Sequence, residues 1–141
     1  MAQGMSVTYV LHRMDEREIL GYYAIAMAEI RMIDLPDALI KGLPRHPVPA
    51  VRIGRLAVAR AHREKGYGAL LLWDAIERSI HLSGQIGARA IEAHAKNDTA
   101  REFYLKYGFV SLVDDVHHLY LAMDTARAVL ARLAESDADA G

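Results

Sequence analysis

The segment Arg63-Glu64-Lys65-Gly66-Tyr67-Gly68 has the residue types to hold an anion. Its glycines let the backbone come close to a ligand and take conformations closed to other residues. Arg63 and Lys65 add positive charge. The segment falls between a predicted strand and a predicted amphipathic helix. A helix start carries unpaired N–H groups and the positive end of the dipole, so phosphate is the ligand this placement favours. The spacing is neither the P-loop nor the dinucleotide pattern, and a plain tight turn would use the same glycines. The 141 residues include no cysteine, which excludes disulfides, thiolate metal sites and a cysteine nucleophile. It also fits a reducing cytoplasm, the expected location. Seven histidines raise the question of a metal, above all His117-His118 beside Asp114 and Asp115. Adjacent strand residues point to opposite faces, so no metal site is expected.

These residues need a scaffold, and the composition sets its kind. With 52% hydrophobic and 25% charged residues the chain reads as one globular domain covering residues 1–141, not a disordered segment. No apolar run reaches the roughly 18 residues of a membrane span, and no signal-peptide pattern opens the chain. The net charge of -1 hides an uneven distribution. Residues 41–65 carry seven basic side chains against Glu64 alone, whereas 1–40 and 109–141 are acidic. Near-neutrality therefore does not exclude a polyanionic partner for the middle of the chain.

Hydrophobic patterning places the elements. Residues 6–11 and 19–30 read as a strand hairpin, with Gly21, Tyr22 and Tyr23 favouring strand over helix. All four prolines lie in 34–49, where Pro36 opens a short helix to Ile40 and 42–49 is an extended loop. Residues 51–58 form a strand. The spacing predicts a helix over 66–83 ended near Gly84, a strand over 88–95, and a helix over 98–107 with Asn97 or Asp98 as N-cap and Gly108 just beyond. Strands at 109–113 and 119–123 flank an acidic turn. A last helix, capped by Asp124 or Thr125, presents Ala126, Val129, Leu130 and Leu133, and residues 136–141 fray.

At this point the chain resembles a known family. Arg63-x-x-Gly66-x-Gly68 followed by Leu70-Leu71 is similar to the acetyl-CoA loop of GNAT N-acetyltransferases, Gln/Arg-x-x-Gly-x-Gly/Ala. Gly54-Arg55-Leu56-Ala57-Val58 resembles the core strand before it. Asn97-Asp98-Thr99-Ala100-Arg101-Glu102-Phe103-Tyr104-Leu105-Lys106-Tyr107-Gly108-Phe109 resembles the family segment Asn-x-x-Ala-x-x-x-Tyr-x-x-x-Gly-Phe. The resemblance spans residues 7–123. It implies an α/β fold of α+β type, with a central mixed, mostly antiparallel sheet flanked by helices. It also implies that the backbone of Leu56, Ala57 and Val58 pairs with the pantetheine arm of acetyl-CoA. The backbone N–H groups of Arg63, Glu64, Lys65, Gly66, Tyr67, Gly68 and Ala69 would hold the pyrophosphate, with Asn97 and Phe103 flanking the arm. Asn97 as a plain helix cap and Phe103 as core packing are the alternatives.

The chemistry follows from that implied cosubstrate. Acyl transfer to an amine needs a neutral amine, a stabilised oxyanion and a proton for the departing thiolate. Without cysteine, direct attack by the amine is favoured over a thiol relay. Tyr104 resembles the family tyrosine that donates to the CoA sulfur, and a phenol near pKa 10 holds its proton at neutral pH. Glu29, Glu92 and His94 fall on strands and read as structural, so no general base is assigned. An α-amine, near pKa 7.7–8.0, has less need of one than a lysine does.

Gly42-Leu43-Pro44-Arg45-His46-Pro47-Val48-Pro49, Gly21-Tyr22-Tyr23-Ala24 and His94-Ala95 resemble the GNAT toxins of toxin–antitoxin pairs. That resemblance implies acetylation of the α-amine of aminoacyl-tRNA and a ribbon-helix-helix antitoxin as partner. Lys41, Arg45 and Arg52 would contact tRNA phosphates, with affinity falling as salt rises. The alternatives are a GNAT acting on a small amine or protein N-terminus, and a catalytically silent acyl-CoA-binding module. The family opens with a strand and two helices before the hairpin, while only a few residues precede Val7. The acceptor wall is therefore expected to be short, a gap that a homodimer could fill.

Overall fold

The computed structural model describes residues 6–30, 48–113 and 115–140. Six strands form one sheet: β1 (Ser6–His12), β2 (Ile19–Ile30), β3 (Val48–Val58), β4 (Ala90–His94), β5 (Val110–Ser111) and β6 (His118–Ala122). Their spatial order is β1-β2-β3-β4-β6-β5, and among these described strands only the β3–β4 pair is parallel. Among the described residues three α-helices accompany it: α1 (Tyr67–Ile86), α2 (Asp98–Lys106) and α3 (Met123–Ala140). The parallel pair requires a crossover, and α1 supplies it. This is the mixed, mostly antiparallel sheet with flanking helices that the sequence implies.

Alternation along the strands divides the core into two faces. Val51, Ile53, Ile91, Ala93, Leu119 and Leu121 join Leu72, Ile76, Phe109 and Tyr104 in the main core under the helices. Ala50, Ala90 and Tyr120 point the other way and pack with Ile30, Val48 and Leu112. On α1 the buried residues Leu71, Leu72, Ala75, Ile76, Ser79 and Ser83 form the apolar stripe that the sequence periodicity requires. The two serines satisfy their hydroxyls on carbonyls of their own helix, Ser79 on Ala75 at 2.7 Å and Ser83 on Ile80 at 2.6 Å.

Several boundaries differ from the sequence expectation. Helix α1 runs through Gly84 to Ile86 and stops at Gly87, whose φ of 72° is the left-handed turn that ends it. A single exposed glycine costs a helix only about 1 kcal/mol, less than the packing on either side of it supplies. Strand β3 begins at Val48, so Pro49 lies in the strand and not in the loop; it faces Glu29, and its carbonyl accepts from Arg89 N–H at 2.8 Å. Helix α3 continues to Ala140, through the segment expected to fray. The strands near 90 and 110 are shorter than expected, because pairing partners run out before the apolar residues do, and the strand near 120 keeps its length but starts one residue earlier, at His118. The helix expected after Pro36 lies outside the described residues, as does most of the proline loop. No helix among the described residues is long and apolar enough to cross a membrane.

Candidate active site

A break in strand pairing creates the site. β3 pairs with β4 only as far as Ile53 opposite Ala93, yet stays on β2 to Val58. Gly54 is the extra residue in the β2–β3 ladder, since Ala24 faces Arg55 while Ile25 faces Ile53. Such a bulge bends a strand and raises its twist. Beyond it, β3 has no described strand on its β4 side, so its N–H and C=O groups there are open to an extended ligand. The gap between the diverging strands is a cleft of about 810 Å³. That size suits a small-molecule site.

Leu56, Ala57 and Val58 line this cleft from β3; Arg63, Glu64, Gly66, Tyr67 and Gly68 from the loop; and Asn97, Phe103 and Tyr104 from α2. Lys65 and Ala69 adjoin the loop without lining the cleft; Lys65 Nζ sits 3.4 Å from His62 Nδ1. Tyr22, Arg55, His94 and Lys96 also line it. None of those four was assigned to a site from sequence, because nothing local to them marks a cleft wall. Arg55, Arg63 and Lys96 make it a positive environment.

The loop backbone is built for an anion. Gly66 is the N-cap of α1 with φ 82°, and no side chain caps the helix. The first-turn N–H groups are therefore left for a ligand. Glu64 is also left-handed, with φ 66°. The loop is tied down from behind: buried His62 lies 2.7 Å from Glu18 Oε1, and Arg13 donates to the Tyr67 hydroxyl at 3.2 Å. The hydrogen bond from His62 holds the Glu18 carboxyl below its usual pKa. An added Cβ on Gly68 would stand 3.4 Å from the Phe103 ring, so the loop and α2 are in near contact.

On α2, Asn97 Oδ1 accepts from Ala100 N–H at 2.9 Å, the N-cap expected, which leaves its amide NH2 for another partner. Tyr104 is buried between Phe103 and Phe109, with ring centroids 5.4 and 5.1 Å away. Its hydroxyl makes no hydrogen bond to a described residue. Burial pushes its pKa up to about 12, so the phenol is a proton donor across the neutral range.

On the opposite face lies a cluster that sequence spacing does not reveal. Glu92 is fully buried. Arg52 Nε donates to its Oε1 at 2.5 Å, and His118 Nε2 bonds its Oε2 at 2.5 Å. Arg52, an expected phosphate contact, has its Nε engaged with this carboxylate while its side chain stays partly exposed. The His94 ring stacks on His118 with centroids 3.9 Å apart. Glu92, His94 and His118 bring ligand atoms within 4.8 Å of one another, though both Glu92 oxygens are already bonded. His117, in the turn before β6, bonds instead to Asp98 at 2.7 Å. Lys41 and Arg45 lie outside the described residues.

The GNAT acetyltransferase family model matches residues 6–109. The chain belongs to the GNAT acetyltransferase family. It is accordingly an acetyl-CoA-dependent acyltransferase, and the open edge of β3 and the loop before α1 lie within the matched residues. This GNAT chain is 38% identical over 128 residues to a tRNA-acetylating toxin of Mycobacterium tuberculosis, covering 91% of the chain and 75% of the relative. Its fold is similar to that of AtaT complexed with acetyl-methionyl-tRNAfMet: TM-score 0.80, 29% identity, 86% of this chain and 74% of that one. It is also similar to a mutant AtaT toxin bound to the C-terminus of the antitoxin AtaR and acetyl-CoA, with TM-score 0.69, 25% identity, 86% of this chain and 70% of that one.

Proposed function

We propose that this GNAT chain moves the acetyl group of acetyl-CoA to the α-amine of an aminoacyl-tRNA, as the toxin of a toxin–antitoxin pair. The observation that carries the reading is the open strand edge of β3 leading into an uncapped helix start, with the Tyr104 hydroxyl in the same cleft. The backbone of Leu56, Ala57 and Val58 pairs with the pantetheine arm as an added strand would. N–H groups of the loop from Arg63 to Ala69 take the pyrophosphate, and Asn97 and Phe103 flank the arm. The substrate amine attacks the thioester carbonyl directly, and Tyr104 protonates the departing thiolate.

The acceptor is argued from charge and from likeness. An aminoacyl-tRNA joins an α-amine to a polyanion, and the basic stretch 41–65 offers Lys41, Arg45 and the exposed part of Arg52 to its phosphates. The relatives named for tRNA acetylation support the same acceptor. The antitoxin complex of AtaT supports a protein antitoxin as the partner.

The test incubates the purified chain with radiolabelled acetyl-CoA and a panel of individually charged tRNAs. Label should appear on charged tRNA, be released as N-acetyl-amino acid by mild base, and fail to appear with Tyr104→Phe. Transfer should weaken steeply between 50 and 200 mM salt. Label reaching only small amines or peptides, without salt dependence, rejects the tRNA reading.

A further inference from the structure

Direct attack leaves a proton on the nucleophilic nitrogen, and the cleft wall offers a group to receive it. We infer that His94 accepts this proton from the sheet face opposite Tyr104, held there by the cross-strand series Arg52–Glu92–His118. The inference rests on the acyl-transfer reading above and adds to it the residue that deprotonates the acceptor.

Three observations carry it. First, Ala93 packs in the same core as Tyr104, so strand alternation sends its neighbour His94 to the other face. Both His94 and Tyr104 nevertheless line the one cleft, because the β3–β4 gap runs through the sheet there. A thioester in that gap has a donor on one side and an acceptor on the other. Second, His94 is placed by a series of contacts. Arg52 neutralises Glu92, Glu92 orients His118, and His118 supports the His94 ring across the β4–β6 pair that sets these residues opposite each other. No ring nitrogen of His94 bonds to a described residue, so the reacting group has first claim on it. Third, the rival strand carboxylates are engaged or distant, and Glu64, the carboxylate in the cleft lining, belongs to the loop before α1. Both Glu92 oxygens are bonded, and Glu29 faces Pro49 at the far end of β2 from the cleft.

The electrostatic surroundings favour the neutral imidazole. Burial and then His118 hold the His94 pKa below its usual 6.5, with Arg52 acting in the same direction and Glu92 and Asp115 opposing. Lys96 adds positive charge to the cleft wall. In the step itself the amine nitrogen bonds the acetyl carbonyl carbon while the π pair moves to oxygen. The N–H proton passes to the free nitrogen of His94. The tetrahedral centre collapses, the C–S bond breaks with its pair on sulfur, and the Tyr104 proton goes to that sulfur. Imidazolium and phenolate then exchange a proton through water, which restores both groups.

The experiment compares wild type, His94→Gln and His118→Gln in N-acetylation of whichever charged tRNA the wild type labels best, from pH 5 to 9. Acetyl-CoA binding is measured by calorimetry and folding by circular dichroism. His94→Gln should lower kcat about 100-fold, bind acetyl-CoA within threefold of wild type, and lose the acid limb of the kcat profile. His118→Gln should keep that limb but move it to higher pH, because His118 no longer disfavours the imidazolium; a purely structural role for the pair would not move it. A His94→Gln variant that is folded, binds acetyl-CoA and turns over within threefold of wild type overturns the inference alone. So does wild-type activity that chelator abolishes and zinc restores, which would make the cluster a metal centre. A wild type that labels no charged tRNA overturns this inference together with the function it rests on.

Discussion

Arg52 Nε stands 2.5 Å from Oε1 of Glu92, a carboxylate with no solvent exposure. Forty residues of sequence separate them, and the parallel β3–β4 register sets them side by side. Removing one partner leaves a buried charge uncompensated, which is strongly destabilising. Arg52→Ala should cost about 2–4 kcal/mol in urea unfolding, discounted from the fully buried case because Arg52 itself is partly exposed. The double change Arg52→Met with Glu92→Leu should recover most of that loss. A stability cost below about 0.5 kcal/mol for Arg52→Ala would place the pair with ordinary surface ion pairs.

Tyr104 should separate chemistry from binding. Tyr104→Phe keeps the ring between Phe103 and Phe109 and removes the proton donor alone. The expected result is a kcat lowered about 100- to 1,000-fold with acetyl-CoA affinity little changed. With the wild-type phenol near pKa 12, Tyr104 should produce no alkaline fall in rate below about pH 10. Single-turnover acetyl transfer and calorimetry measure the two quantities.

The same raised pKa makes a prediction about stability. Tyr104 is protonated in the folded state to about 12, while an unfolded tyrosine ionises near 10. Its contribution is therefore complete below pH 10 and is lost as pH rises through 12. Tyr23, raised by burial and by its bond to Asp74, and Tyr120, raised by burial, act in the same direction. Denaturant midpoints should fall between pH 10 and 12, less steeply in Tyr104→Phe.

Two loop glycines should fail in different ways. Gly66 has φ 82° and open space around its Cβ position, so Gly66→Ala meets backbone strain and not a clash. It should lower stability by about 1–2 kcal/mol, read from thermal unfolding. Gly68 faces the Phe103 ring, with room for a methyl and little more. Gly68→Val should therefore weaken acetyl-CoA binding well beyond Gly68→Ala, as read by calorimetry.

Gly21 guards the cleft from its other side. A Cβ there would lie 2.7 Å from the Ala57 carbonyl oxygen and 2.7 Å from Leu71 Cδ1. Gly21→Ala must push β2 from β3 at the strand segment that forms the cleft wall. A loss of about 1–3 kcal/mol is expected, together with a raised KM for acetyl-CoA. An unchanged KM would show that the displacement is absorbed by α1.

Local features were legible in the residues themselves. The Asn97 cap, the left-handed Gly108 after α2, the stripe on α1 and the glycine loop before it depend on neighbours within a few positions, and each stands where the spacing predicts. Where such a local signal competed with packing, packing prevailed: Gly84 is carried inside α1, and Pro49 is drawn into β3.

The sequence by itself indicated the family, the loop that can face an anion, the position of Tyr104 on its helix and, through the lack of cysteine, that no thiol relay is available. The tertiary structure decided how these meet. Only the bulge at Gly54 and the end of β3–β4 pairing open the sheet into a cleft. Only cross-strand register brings Arg52, Glu92, His118 and His94 together, so that the Nε of an expected phosphate contact also holds a buried acid. The physical reason is range. Caps, turns and helix stripes are set by contacts between near neighbours in the chain. Strand pairing joins residues dozens of positions apart through backbone hydrogen bonds that carry no side-chain signature.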